Sequence, residues 1–115
     1  MRHFVMDEFR CPCCGANDME PTALIMLDRA REISGFPYRI NSGYRCEKHN
    51  AEVGGKPTSS HLQGWAVDIR VSGSRSRYLI LYGLITAGFA RIGIGKDFIH
   101  ADCDPAKPPE LSWLY

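Results

Sequence analysis

His61 and Asp68 stand seven residues apart in SSHLQGWAVDIR (59–70), and His100 and Asp102 stand two apart in DFIHAD (97–102). Two imidazoles and one carboxylate are the ligand set of a catalytic zinc, with the fourth position left for water. Spacing alone does not bring His61, Asp68 and His100 to one atom. On a helix, His61 and Asp68 would lie roughly 10 Å apart along the axis. On a continuous strand they would lie more than about 20 Å apart. They can share an ion only if the chain turns between them, and Gly64 offers a residue that permits a turn. The same side chains also suit a purely structural reading. His61 would then cap a loop, Asp68 would sit in a surface ion pair, and His100 would be a half-buried hydrogen-bonding group.

The elements that must position these groups can be read from periodicity. Residues 65–71 alternate, with Trp65, Val67, Ile69 and Val71 on one face and Ala66, Asp68 and Arg70 on the other, which predicts a half-buried strand. ARIGIG and DFIHADC read as two closing strands, joined as a hairpin through Gly95-Lys96. In the second of them His100 and Asp102 share a face. Laying that strand beside 65–71 sets His100 against Asp68, with His61 folded over from the preceding turn. Pro21–Ser34 reads as a helix: Pro21 suits its first position, Ala23, Leu24, Leu27 and Ala30 form its apolar stripe, and Gly35 ends it. YRIN (38–41) is a short strand, CEKHNAEV a short helix ended by Gly54-Gly55, and KPTSS a loop. Ser74 is expected to cap a helix running to Ala87, which carries Leu79, Leu81, Tyr82, Leu84 and Ile85, and Gly88 ends it. DPAKPPE is loop and LSWLY a terminal strand. This order predicts an α+β domain, a small antiparallel sheet flanked by helices, spanning residues 1–115 as one unit.

Composition narrows the function class. The chain has 115 residues, 44% hydrophobic and 23% charged, as an ordinary globular domain does. Fourteen basic residues against thirteen acidic ones leave a net charge of +1, which argues against a nucleic-acid partner. No apolar run is long enough to insert in a membrane. MRHFVMDEFRCPCC lacks the apolar centre of a signal peptide, so synthesis in the cytoplasm without an export signal is expected.

CPCCG is a competing metal signal. Cys11 and Cys14 have C-x-x-C spacing, but a structural zinc site needs a second pair, and only the widely separated Cys46 and Cys103 remain. A packed thiol cluster or a redox-formed disulfide is the favoured reading, ahead of a structural zinc. Crowded, odd-numbered cysteines fit a reducing compartment better than a disulfide framework.

SGYR, SSHLQGWAVDI and GIGKDFIHAD together resemble the zinc D-alanyl-D-alanine carboxypeptidase and L-alanyl-D-glutamate peptidase family, whose fold is shared with the hedgehog signalling domain. The pattern S-x-H, two residues, G-x-A-x-D and a later H-x-D is matched by Ser59, His61, Gly64, Ala66, Asp68, His100 and Asp102. F-x-C-x-C-C-G at the start and W-x-Y at the end look like a short, phage or prophage-type branch of the family. The resemblance implies Zn2+ held by His61, Asp68 and His100, and a water acidified to attack an amide carbonyl of a peptidoglycan stem peptide. It implies Asp97, of D-x-x-H, as acid/base. In a regular strand Asp97 and His100 face opposite ways, so Asp97 would have to lie in a bend after Gly95; the alternative is an exposed turn aspartate. Arg45 is implied to bind substrate or steady the oxyanion, with a structural ion pair as the alternative. Ser59 and Asp102 are expected to orient the histidines, and Tyr44 and Trp65 to line the cleft or belong to the core. A monomer acting on the cell wall is expected, after phage-assisted release or as a virion component; a cytoplasmic peptidase of small D-amino-acid peptides is also consistent. A non-catalytic wall-binding or phage structural module of the same fold is the rival reading.

Overall fold

The computed structural model describes residues 2–115. Its elements in chain order are α1 (Pro21–Ser34), β1 (Ile40–Ser42), α2 (Glu47–Glu52), β2 (Ala66–Arg70), α3 (Ser74–Ala87), β3 (Arg91–Ile94), β4 (Phe98–Asp102) and β5 (Leu111–Leu114). Single 3-10 turns at Met6–Phe9 and Ser60–Gln63 complete the set. The fold is α+β, with a sheet in the order β1-β2-β4-β3-β5. Four strands pair antiparallel as expected, whereas β5 joins the edge of β3 parallel, setting Gly93 beside Trp113. Loop 103–110 carries the chain back along the sheet, so the last strand runs in the direction of β3. Alternation of apolar residues in a terminal strand does not encode that direction.

One face of the sheet is dry. Val67 and Ile69 of β2, Ile92 of β3, and Ile99 and Ala101 of β4 are buried against Leu24, Leu27 and Ala30 of α1 and Ile80 and Leu84 of α3. α1 spans the residues its signals predict, and Gly35 closes it in the left-handed conformation with its N–H on the Arg31 and Glu32 carbonyls. α3 also has the expected bounds, but its cap is not Ser74. Gly73 occupies the cap position, and Ser76 Oγ turns back to accept from the N–H groups of Ser72 (3.1 Å) and Gly73 (3.0 Å). α3 buries Ile80 and Leu84 and leaves Tyr82 and Ile85 half exposed or more. Strand alternation then sends the opposite set to the other face of the sheet: Asp68, Phe98, His100, Asp102 and Arg91, with Trp113 from β5. No helix among the described residues is long and apolar enough to cross a membrane.

Candidate metal centre

The uncovered face of the sheet is the floor of a cleft of about 790 Å³. His61 reaches it from the Ser60–Gln63 turn, which ends at Gly64 with φ 77°. Only glycine suits that position twice over: the backbone is left-handed, and a Cβ would strike the Asp18 carbonyl. Ser59 Oγ accepts from the His61 amide N–H (3.3 Å), so it starts the turn and does not touch the imidazole. Asp68 and His100 are register partners on β2 and β4. The structure therefore brings His61, Asp68 and His100 together, with one ligand atom of each within 4.8 Å of the others.

Hydrogen bonding fixes how each imidazole faces. His61 Nδ1 lies 2.8 Å from the Gly43 carbonyl, which can only accept, so Nδ1 carries the proton and Nε2 turns a lone pair toward Asp68 Oδ1 at 3.3 Å. His100 stands between two carboxylates, Nε2 2.8 Å from Asp102 Oδ2 and Nδ1 3.0 Å from Asp68 Oδ1, so a proton kept on Nε2 leaves the Nδ1 lone pair facing Asp68. Two imidazole lone pairs aimed at one carboxylate oxygen repel unless a cation or a proton joins them. This donor set therefore fits a divalent metal, with each ligating histidine braced through its other nitrogen.

Charge around the three groups is consistent with that demand. With a proton in place of the cation on each facing nitrogen, burial alone would push the Asp68 carboxyl up, but the N–H groups of His100 and His61 outweigh it and hold Asp68 well below the usual carboxylate range. Burial pushes His100 down, and the Asp102 and Asp68 carboxylates more than reverse it. Asp102 is buried and bonded to Arg91 Nε at 2.9 Å as well as to His100. Burial would raise its pKa too, and the His100 hydrogen bond keeps it lowered.

Arg45 is at the site, already occupied. Its Nη2 donates to Asp68 Oδ2 (3.0 Å), its Nε to Ser42 Oγ (2.9 Å) and its Nη1 to Asn50 Oδ1 (3.3 Å). It thus steadies the carboxylate that the histidines share. Gly43 precedes it in SGYR because the chain passes Phe9 so closely that a Cβ would sit 2.7 Å from the Phe9 carbonyl oxygen.

At three positions the structural alternative holds and the catalytic or cleft-lining one does not. Asp97 is exposed in the β3–β4 turn and is not among the residues lining the cleft. Its carbonyl accepts from the Val71 N–H (2.8 Å), which extends the β2–β4 ladder, and the next residue, Phe98, takes the cleft-facing position. Tyr44 and Trp65 pack against the core and do not line the cleft. The aromatic wall comes from Trp113 and Tyr115, with Trp113 5.6 Å from the His100 ring and 5.3 Å from the Arg91 guanidinium. Arg91 was open to prediction, since a hairpin through Gly95-Lys96 sets it opposite Asp102. Lys107, which donates to the Thr58 carbonyl (2.6 Å) and to Ser60 Oγ (2.7 Å), comes from a proline-rich loop with no such signal.

A small α+β domain with two histidines and an aspartate converging in a cleft has the makings of a metal-dependent hydrolase. The family model for Peptidase M15 matches residues 2–102, and the chain belongs to that family of zinc peptidases. Family membership and the candidate ligand group support a zinc peptidase in general terms. The matched stretch ends with β4, so the Trp113–Tyr115 wall lies beyond it. A search of curated proteins finds no match.

Proposed function

We propose that the chain is a zinc-dependent peptidase of peptidoglycan stem peptides, of the D-Ala-D-Ala carboxypeptidase or the L-Ala-D-Glu or D,D-endopeptidase type. The observation that carries this reading is the convergence of His61 Nε2 and His100 Nδ1 on one oxygen of Asp68, on the floor of the cleft of an M15 domain. His61, Asp68 and His100 are the proposed ligands. Zinc in such a set polarises a carbonyl oxygen and acidifies a water. The chain's own residues do the rest. Gly43 and Asp102 hold the two imidazoles in the tautomers that ligation needs, and Arg45 fixes the Asp68 carboxylate. Lys56, Arg91 and Lys107 put positive charge along the cleft, which suits the carboxylates of a stem peptide, and Trp113 and Tyr115 offer apolar faces for its backbone.

One observation favours the non-catalytic wall-binding or phage structural module as a second reading. Among the described residues, the acids lining the cleft are Asp68 and Asp102, and both are engaged by histidines and arginines. A carboxylate at liberty to move a proton is absent from that lining. Digestion of purified peptidoglycan by zinc-loaded protein, followed by mass spectrometry of released fragments, separates the readings. The peptidase gives stem-peptide fragments whose masses sum to the parent plus one water, lost with a chelator and in His61→Ala. Zinc-loaded protein that pellets with the wall and releases no fragment selects the module, and neither binding nor cleavage contradicts both.

A further inference from the structure

Thirty-five residues separate Cys11 from Cys46, yet their sulfurs lie 3.6 Å apart. Cys14 joins them, all three sulfurs falling within 4.8 Å of one another. Adjacent sulfurs of a tetrahedral zinc–thiolate centre, with Zn–S near 2.3 Å, are about 3.8 Å apart. The C-x-x-C pair that lacked a partner in the sequence therefore finds one in space. Cys103 stays out, its sulfur directed at the Trp65 carbonyl.

We propose that Cys11, Cys14 and Cys46 form a second, structural zinc site, independent of the histidine centre. A disulfide would use two of these thiols and strand the third, whereas one thiophilic cation uses all three. Backbone donors already converge on the sulfurs: the Cys46 N–H points at Cys11 Sγ (3.5 Å) and the His49 N–H at Cys46 Sγ (3.4 Å). N–H donors of this kind stabilise thiolate ligands, as they do around iron–sulfur clusters. Cys13, exposed with its thiol next to that of Cys46, is a candidate for a fourth ligand, although it falls outside the three-sulfur group. On binding, each ligating thiol gives its proton to solvent.

The site would act as a staple. The Tyr44 N–H bonds to the Phe9 carbonyl at 2.9 Å, so the segment before α1 runs beside SGYRC, and Cys46 directly follows the arginine that holds Asp68. A metal here would tie the N-terminal segment to the wall of the cleft.

Metal content and cobalt spectra test this without recourse to activity. Protein purified with reductant and dialysed against metal-free buffer should retain two zinc ions per chain. His61→Ala/His100→Ala should retain one, and its cobalt-substituted form should show the near-ultraviolet thiolate-to-cobalt charge-transfer band. Cys11→Ser/Cys14→Ser should lose that band and keep the other ion. If the cysteine variant does not fold, the histidine variant and the wild type decide alone. Five freely titrating thiols in metal-supplemented protein, no thiolate band, or a Cys11–Cys46 disulfide in reduced preparations would overturn the proposal. A wild type with one ion and a strong thiolate band would instead support it and count against the histidine centre.

Discussion

Asp102→Asn isolates what the residue behind the histidine contributes. In the native cleft Asp102 Oδ2 accepts from His100 Nε2 at 2.8 Å and Oδ1 accepts from Arg91 Nε at 2.9 Å. An asparagine keeps the shape but has only one acceptor. If its oxygen serves His100, its NH2 meets the Arg91 N–H, and if it turns round, His100 Nε2–H is left facing a donor. Either way one charge-assisted hydrogen bond is lost, worth roughly 1.5–3 kcal/mol. The imidazole also loses the anion that raises its basicity. Removing such a partner behind a metal ligand costs about 10–100-fold in metal affinity. That range equals about 1.4–2.8 kcal/mol, the same size as the lost hydrogen bond. Zinc affinity measured by competition with a chromophoric chelator should fall by this factor, with His100→Ala run alongside to subtract ions bound elsewhere. Circular dichroism establishes that the fold is kept. An Asp102→Asn protein that folds normally and binds zinc within about twofold of wild type would refute the bracing argument.

Asp97→Asn should leave peptide hydrolysis within about threefold of wild type, because the side chain is exposed in a turn outside the cleft; a loss of about 100-fold or more, the size of a general-base contribution, would show that this turn folds over the substrate. Gly43→Ala should lower the melting temperature and weaken zinc binding together, since the added Cβ meets the Phe9 backbone at 2.7 Å and displaces the carbonyl that holds His61; unchanged zinc affinity in a folded variant would separate the two effects and contradict the link. Asp28 links the N-terminal segment to α1: burial would raise its carboxyl, but the His3 and Arg2 N–H donors prevail and lower it. A lowered folded-state pKa means its stabilisation is present above the ordinary carboxylate value and is lost as pH falls through the folded value. Thermal melts from neutral to acid pH should therefore show a shallower acid decline in Asp28→Asn than in wild type, and identical declines would count against the contribution.

What the sequence discloses is what depends on neighbours along the chain. Pro21 and Gly35 bound α1, and the apolar stripe between them is the face it buries. Alternation in β2 places Asp68 opposite the core, and the hairpin through Gly95-Lys96 aligns β4, so the meeting of Asp68 with His100 is foreseeable. What depends on the path of loops is not foreseeable in this way. The route of residues 103–110 decides that β5 runs parallel to β3 and so which aromatic residues wall the cleft. The same holds for Cys46, which reaches Cys11 and Cys14 only because the N-terminal segment runs beside SGYR. Asp97 shows the limit of a spacing match. D-x-x-H fixes a distance along the chain, but the Val71–Asp97 ladder bond fixes which way the strand faces. Arg45 reaches the cleft, but the sequence does not reveal that its donors are taken up by Asp68, Ser42 and Asn50.

Peptidase activity, as proposed, depends on a metal held by His61, Asp68 and His100. Anomalous diffraction at the zinc absorption edge, from crystals of zinc-loaded protein, tests it most directly. A peak is expected about 2.0–2.2 Å from His61 Nε2, an Asp68 carboxylate oxygen and His100 Nδ1. A fully loaded crystal with no peak between these three residues would contradict it.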